Sequence, residues 1–117
     1  MEPALTALTQ RYLVALPEKR AEIERVYQAS QVPGEMTVNR VLLQGMLDRL
    51  SGSAGAYGFV ALGEAARTAC AQIEADHNLL VPAAMDGVRI QNFAKIMKRV
   101  LDCFDAILAE PPQPPPA

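Results

Sequence analysis

Apolar side chains recur every three or four residues along most of the chain, which is the spacing of one face of an α-helix. The clearest stripes are Leu43, Leu47, Leu50 and Ala54; Phe59, Leu62, Ala66, Ala69 and Ile73; and Phe93, Met97, Val100, Phe104 and Ile107. We therefore expect helices over about residues 38–56, 59–76 and 87–109, each burying its stripe in a common core.

The first third of the chain predicts two shorter helical segments. Residues 3–16 carry an approximate stripe, and Pro17 is expected to kink or restart the helix because proline lacks a backbone N–H. Residues 18–29 then form the second segment. The residues expected to face the core are Leu5, Leu8, Tyr12, Leu16, Ile23, Val26 and Tyr27.

Prolines and glycines mark the connections between these helices. Pro33 and Gly34 predict a turn before the central helix, and Gly58 after it is where a positive φ costs least. Residues 77–87 form a longer connection, and the proline-rich residues 111–117 are expected to be extended or disordered. We expect one all-α domain over residues 1–110, an antiparallel four-helix bundle with an N-terminal helical extension, followed by that tail.

Composition narrows the class of function. A chain of 117 residues fits one domain, and its 5% aromatic content without Trp suits a bundle rich in Ala and Leu. A net charge of −2 and a pI near 5.3 argue against nucleic acid as the partner. No run has the length of a membrane span, and no signal peptide is apparent, so we expect a soluble, cytoplasmic protein with no membrane partner.

Few side chains indicate catalytic or metal chemistry. Cys70 and Cys103 fit the apolar stripes and are too far apart in sequence for a zinc site, so we expect buried free thiols. His77 is the only histidine, and near a helix end it is expected to face solvent or to form a local hydrogen bond. Arg67 is expected to face solvent or, alternatively, to border a partner surface. We therefore expect no metal, no cofactor and no enzymatic activity.

The solvent side of the central helix is the unusual part of the sequence. Gln44, Asp48, Ser51, Gly52 and Gly55 lie opposite its apolar stripe. An interior helical Gly costs about 1 kcal/mol relative to Ala, so something other than helix stability favours these glycines. We expect a flat surface that another backbone can approach closely. Alternatively, Gly55 permits tight packing against the following alanine-rich helix.

The run Leu47-Asp48-Arg49-Leu50-Ser51-Gly52-Ser53-Ala54, followed by Gly58, resembles the signature helix of the histidine-containing phosphotransfer (HPt) domains of two-component phosphorelays. That motif has a phosphorylated His, an apolar residue two positions on, usually Lys three on, Gly four on, then small residues, and Gly ten on. The resemblance is strict over residues 47–59 only. It implies the same four-helix bundle and the same docking helix.

Two positions depart from the HPt motif. Asp48 occupies the position of the phosphoacceptor His, and Ser51 that of the usual Lys. An imidazole with a pKa near 6.5 can attack an aspartyl phosphate. A carboxylate would instead form a mixed anhydride, without a metal beside it to shield the anions. Arg49 lies about 100° around the helix from Asp48, so it substitutes poorly for the missing Lys.

We therefore expect no catalytic residue and a retained docking surface. The resemblance assigns this surface to Gln44, Asp48, Arg49, Ser51, Gly52 and Gly55. Its implied partners are the receiver domain of a response regulator or a sensor histidine kinase.

Three functions stay open. The first is a non-catalytic docking or adaptor module of two-component signalling that relays no phosphate. In it, Asp48 either partly mimics the charge of phosphohistidine or repels the acidic pocket of a receiver. The second is a phosphorelay HPt protein whose phosphoacceptor His is replaced by Asp48 in this chain. The third is a helical oligomerisation or scaffold module in which Gly52 and Gly55 let two bundles pack face to face.

Overall fold

The computed structural model describes residues 3–77 and 87–109, and these form four α-helices. The helices are α1 (Pro3–Ala29), α2 (Met36–Ala56), α3 (Val60–His77) and α4 (Gly87–Ala109). The predicted all-α class is confirmed. The predicted tail over residues 111–117 and most of the connection predicted over residues 77–87 lie outside the described residues.

The four helices form a closed ring. Each packs against its neighbours in sequence, and α1 also packs against α4. Within the described ranges, the pairs α1–α3 and α2–α4 lie diagonally opposite, and their backbones do not come into contact. Along α1, Arg20 bonds Asp105 of α4, and Tyr27 contacts the earlier Phe93 edge to face. A later residue of α1 therefore contacts an earlier residue of α4, so the two helices run in opposite directions. This is the antiparallel arrangement that the sequence predicted.

The predicted stripes form one core. Leu43, Leu47, Leu50 and Ala54 of α2 are at most 3% exposed, and Phe93, Met97, Val100 and Phe104 of α4 are equally buried. Phe59 and Ile107 are only partly buried at one end of the bundle. The helical period thus predicts the inward side of α2, α3 and α4 correctly.

The predicted restart of the helix at Pro17 is wrong, because Pro17 lies inside one continuous helix. An interior proline removes a backbone hydrogen bond and costs about 3 kcal/mol. Leu16 before it and Ile23 after it are buried in the same core, while Pro17 itself is exposed. Packing on both sides of the proline therefore outweighs the local cost.

Leu8 was predicted to face the core, but it is 46% exposed. The hydroxyl groups of Tyr12 in α1 and Ser53 in α2 are 2.9 Å apart, and α2 ends three residues later at Ala56. The antiparallel register therefore places Leu8 level with the end of α2, where little remains to cover it. The predicted N-terminal extension is the first turns of α1 and not a separate element.

A glycine turn joins α2 to α3. Gly58 has the expected positive φ of 88°. Its N–H donates to the carbonyl of Gly55, and the N–H of Phe59 donates to the carbonyl of Ala54 at 2.8 Å. These two bonds are the Schellman pattern, which satisfies carbonyls left open at a helix C-terminus. The turn therefore brings α3 back directly alongside α2.

The two helices approach most closely at Gly63 of α3. A Cβ at Gly63 would lie 3.2 Å from the Ser51 carbonyl oxygen and 3.3 Å from the Gly55 nitrogen. A Cβ at Gly55 would meet no atom within 4 Å. The alternative prediction for Gly55 was that it permits tight packing against the following helix. The two helices do cross closely at Gly55, but the glycine that the crossing requires is Gly63.

A buried ion pair links α2, α3 and α4 at the other end of the bundle. Arg40 donates to the Asp76 carboxylate at 2.9 Å, and Gln72 and Arg89 donate to its other oxygen at 3.0 and 3.3 Å. The Arg40 guanidinium also lies 4.3 Å from the centre of the Phe93 ring. Buried charges are costly unless they are paired. The cluster therefore favours one register of these three helices.

We expect Gly63→Val to lower the free energy of unfolding by about 2 kcal/mol, because a side chain at this position forces α2 and α3 apart. Gly52→Ala is the matched control, since a Cβ there meets nothing within 4 Å. It should raise the free energy of unfolding by about 0.5–1 kcal/mol through helix propensity. Urea unfolding followed by circular dichroism measures both. A Gly63→Val protein as stable as the wild type would contradict the close crossing.

Candidate functional site

The solvent side of α2 carries the residues that the sequence assigned to docking, together with others. We call this surface the α2 outer face, and its members are all exposed: Val38, Val41, Leu42, Asp48, Arg49, Gly52, Gly55 and Ala56. They lie opposite the buried stripe of the same helix. Since 3.6 residues make one turn, burying one side of α2 presents the other side to solvent.

Asp48 lies near the middle of the α2 outer face. Its side chain is exposed, as the sequence predicted. No described residue forms a hydrogen bond or an ion pair with its carboxylate. The carboxylate is therefore available to a group brought by another molecule.

Cys70 shows that Asp48 lies toward the α3 side of α2. The thiol of Cys70 donates to the carbonyl oxygen of Gln44 at 3.7 Å. Burial raises the pKa of this thiol, and the negative charges of Asp48 and Glu74 raise it further. The thiol therefore stays protonated near neutral pH and is a poor nucleophile. Cys70 and Cys103 are both free, as expected, but only half-buried.

Two of the predicted docking residues lie partly inside the α2–α3 interface. Gln44 and Ser51 are half-buried, and the carbonyl oxygen of Ser51 is at the crossing with Gly63. Their side chains are less available to a partner than the sequence suggested. The structure leaves four of the six predicted residues exposed: Asp48, Arg49, Gly52 and Gly55.

Arg49 lies on the side of α2 that faces α1, whereas Asp48 lies on the side that faces α3. It lines a groove between α1 and α2 together with Lys19 and Glu22. One guanidinium nitrogen is 3.6 Å from where a Cβ of Gly45 would be, so the side chain lies back over that glycine. Arg49 therefore does not take the place of a cation beside Asp48 on the α3 side.

Arg67 lies on the edge of α3 that borders α2. It comes one turn after Gly63 and one turn before Cys70, and both of those residues contact α2. Arg67 itself is exposed. By helical register it lies alongside the half of α2 that contains Asp48 and Gly52. The sequence predicted that Arg67 either faces solvent only or also borders a partner surface. Its position beside the α2 outer face permits the second alternative.

The exposed apolar residues at the start of α2 were not among the predicted docking residues. Val38, Val41 and Leu42 are 66%, 50% and 55% exposed. Their own spacing of three and four residues was a detectable signal, because it marks a second apolar stripe on the side away from the core. Contiguous exposed apolar surface is typical of protein–protein contacts.

His77 is exposed at the end of α3. Within residues 3–77 and 87–109, no three acidic, cysteine or histidine side chains are grouped as metal ligands, and no helix is both long and apolar enough to cross a membrane.

Comparison with family models, curated proteins and solved structures found no match for this chain.

We expect the pKa of Cys70 to fall when Asp48 is replaced by Asn, because one of the negative charges that disfavour the thiolate is removed. Burial remains, so the pKa should stay raised relative to that of a solvent-exposed thiol. The pH dependence of iodoacetamide alkylation measures it in a Cys103→Ser background. Glu18→Gln on α1 is the control and should leave the pKa of Cys70 unchanged. An unchanged Cys70 profile in Asp48→Asn would mean that the two side chains are not close.

Proposed function

We propose that this chain is a non-catalytic, HPt-like docking module of two-component signalling in the cytoplasm. It binds a receiver domain or a sensor histidine kinase through the α2 outer face and relays no phosphate. One observation carries the proposal: Asp48, at the position that matches the phosphoacceptor His, is an exposed carboxylate without an ion-pair partner on a face that is otherwise mostly apolar or bare.

The shape of the face supports a docking role. Val38 and Val41 offer apolar area, and the surface at Gly52 carries no side chain. A partner backbone can therefore come close to α2 near Asp48. Neither the Gly52 position nor these exposed valines is required by packing inside the bundle, which favours an external use for them.

The charges around residue 48 support the absence of relay. A carboxylate that accepted a phosphoryl group would need a cation to shield the oxygens. Ser51 replaces the usual Lys, and Arg49 lies in the groove toward α1. On the α3 side, the charge of Asp48 acts on the protonated thiol of Cys70, as does that of Glu74. Arg67 borders this half of α2 but forms no ion pair with Asp48. Asp48 therefore has no cation held beside it that would stabilise a mixed anhydride or its transition state.

We expect Gly52→Arg to abolish binding to the cognate receiver or kinase, because a long charged side chain would rise from the surface that the partner approaches. The fold should persist, since a Cβ at residue 52 meets no atom within 4 Å. A pull-down against a panel of receiver domains and sensor kinases, followed by calorimetric titration of each binder, measures this. Ala106→Arg, at an exposed position of α4, is the matched control and should bind normally.

Two results would contradict this prediction in different ways. If Gly52→Arg binds as tightly as the wild type, the interface lies elsewhere on the molecule. If the wild-type chain binds no receiver and no kinase of the panel, the proposed function is wrong.

We expect no transfer of label from a radiolabelled phospho-receiver to the wild-type chain or to Asp48→His. The histidine variant supplies a nitrogen that could displace the receiver carboxylate from phosphorus, but Ser51 still supplies no cation. Labelling of Asp48→His alone would favour the second interpretation, a phosphotransfer protein whose His is replaced. Labelling of the wild type, lost in Asp48→Asn, would contradict the absence of relay.

A further inference from the structure

We propose that the groove between α3 and α4 binds another protein through an amphipathic helix that carries two carboxylates at its middle and apolar residues at both ends. We call this surface the α3–α4 groove. The residues that define it are Val60, Ala61, Val88, Lys95, Arg99 and Cys103. Binding in this groove is independent of the proposed function, because it uses a different side of the bundle.

The α3–α4 groove has a hollow at each end. One hollow, of about 440 Å³, lies between Val60 and Ala61 at the start of α3 and Cys103 of α4. The other, of about 480 Å³, lies between Gln72 of α3 and Val88 at the start of α4. Val60 and Val88 are 59% and 74% exposed. Each hollow therefore presents an apolar side chain, and covering it is favourable in proportion to the area removed from water.

Two cations lie between the hollows. Lys95, Arg99 and Cys103 follow one another along α4 at steps of four residues, each step rising about 6 Å. Lys95 lines one hollow and Cys103 the other, so Arg99 between them also borders α3. No described residue forms a hydrogen bond or an ion pair with Lys95 or Arg99, and the neighbouring Asp102 is paired with Lys98 at 2.8 Å. The middle of the groove therefore carries two positive charges that the bundle itself does not use.

The α3 side of the groove is low enough to admit a helix. Helical register places Ala61 and Thr68 on the same side of α3 as Gln72, facing α4. Such small side chains let another helix approach closely. An extended segment fits less well, because helices offer no free backbone edge to its N–H and C=O groups. Val88 and Ala106 lie about 27 Å apart along α4, which is the length of five turns of a partner helix.

The charges determine which helix fits. A wholly apolar helix would remove Lys95 and Arg99 from water without supplying opposite charges, which is costly. Two carboxylates one turn apart on the partner meet both cations. A polyanion is disfavoured, since the net charge of the chain is −2 and Asp102 lies beside the same two cations. The matching helix therefore has its carboxylates at the middle of one face and apolar residues about 13 Å to either side.

The α3–α4 groove and the α2 outer face are separate surfaces. Gly63 and Cys70 mark the side of α3 that contacts α2. Ala61 and Gln72 mark the side that borders the groove. A helix in the groove therefore leaves Asp48 uncovered. The bundle has room to hold two proteins at once, one on each surface.

Fluorescence anisotropy with a labelled 19-residue helical peptide tests the groove. The probe has leucine at positions 1, 5, 15 and 19 and glutamate at positions 8 and 12, on one helical face, with alanine and glutamine elsewhere. This pattern is the same in both chain directions, so it fits either orientation of the partner. We expect the full chain to bind it, and to bind a control peptide with glutamine at positions 8 and 12 at least about tenfold more weakly.

Charge reversal on the protein is the specific probe. Lys95→Glu and Arg99→Glu should each weaken binding of the glutamate peptide at least about tenfold. The double variant should instead bind a peptide with lysine at positions 8 and 12. Arg25→Glu, at an exposed position of α1, is the matched control and should bind the glutamate peptide normally. All three residues are exposed, so the fold should persist, which circular dichroism checks.

Three outcomes would overturn the inference. They are no binding of the glutamate peptide up to millimolar concentration, equal loss of binding in Arg25→Glu and Lys95→Glu, and displacement of the peptide by vesicles of phosphatidylcholine and phosphatidylserine, which would assign the cations to a membrane surface. Gly52→Arg should leave peptide binding unchanged. Failure in the groove therefore leaves the assay with receivers and kinases unaffected, and failure of that assay leaves the groove intact.

Discussion

The close crossing of α2 and α3 determines how α2 is presented to solvent. At Gly63 the missing side chain lets the backbone of α3 reach Ser51 and Gly55 of α2. The Schellman turn at Gly58 brings the chain back at that short distance. With one side of α2 held against α3 and another in the core, its remaining side must face outward. The exposure of Asp48 follows from this arrangement.

Two ends of the bundle stabilise the arrangement by different means. At one end Tyr12 stacks on Tyr57 with ring centres 4.5 Å apart and lies close to Phe59, so aromatic contacts join α1 to the α2–α3 turn. At the other end the Arg40–Asp76 pair joins α2 to α3. Apolar contacts tolerate small sliding, whereas a buried ion pair does not. The charged end therefore sets the register, and the aromatic end adds buried area.

The α2 outer face combines features that the stability of an isolated bundle does not explain. Glycines lower helix propensity, and valine side chains that stay in water contribute no burial energy to the fold. Both become favourable when another surface covers α2. Asp48 adds a condition on that surface, because covering an unpaired carboxylate is costly unless the incoming molecule provides a positive group.

The sequence by itself determined which side of each helix is buried, where the α2–α3 turn lies and that Asp48 faces out, because these depend only on the 3.6-residue period and on backbone conformation. Tertiary structure alone decided that α1 continues through Pro17, that Leu8 is uncovered and that Gly63 is the residue at the crossing. It also decided that Arg49 lies toward α1. Periodicity gives an angle around one helix axis. How far a neighbouring helix extends, how close it comes and which side chains meet depend on packing between helices, which no local pattern encodes.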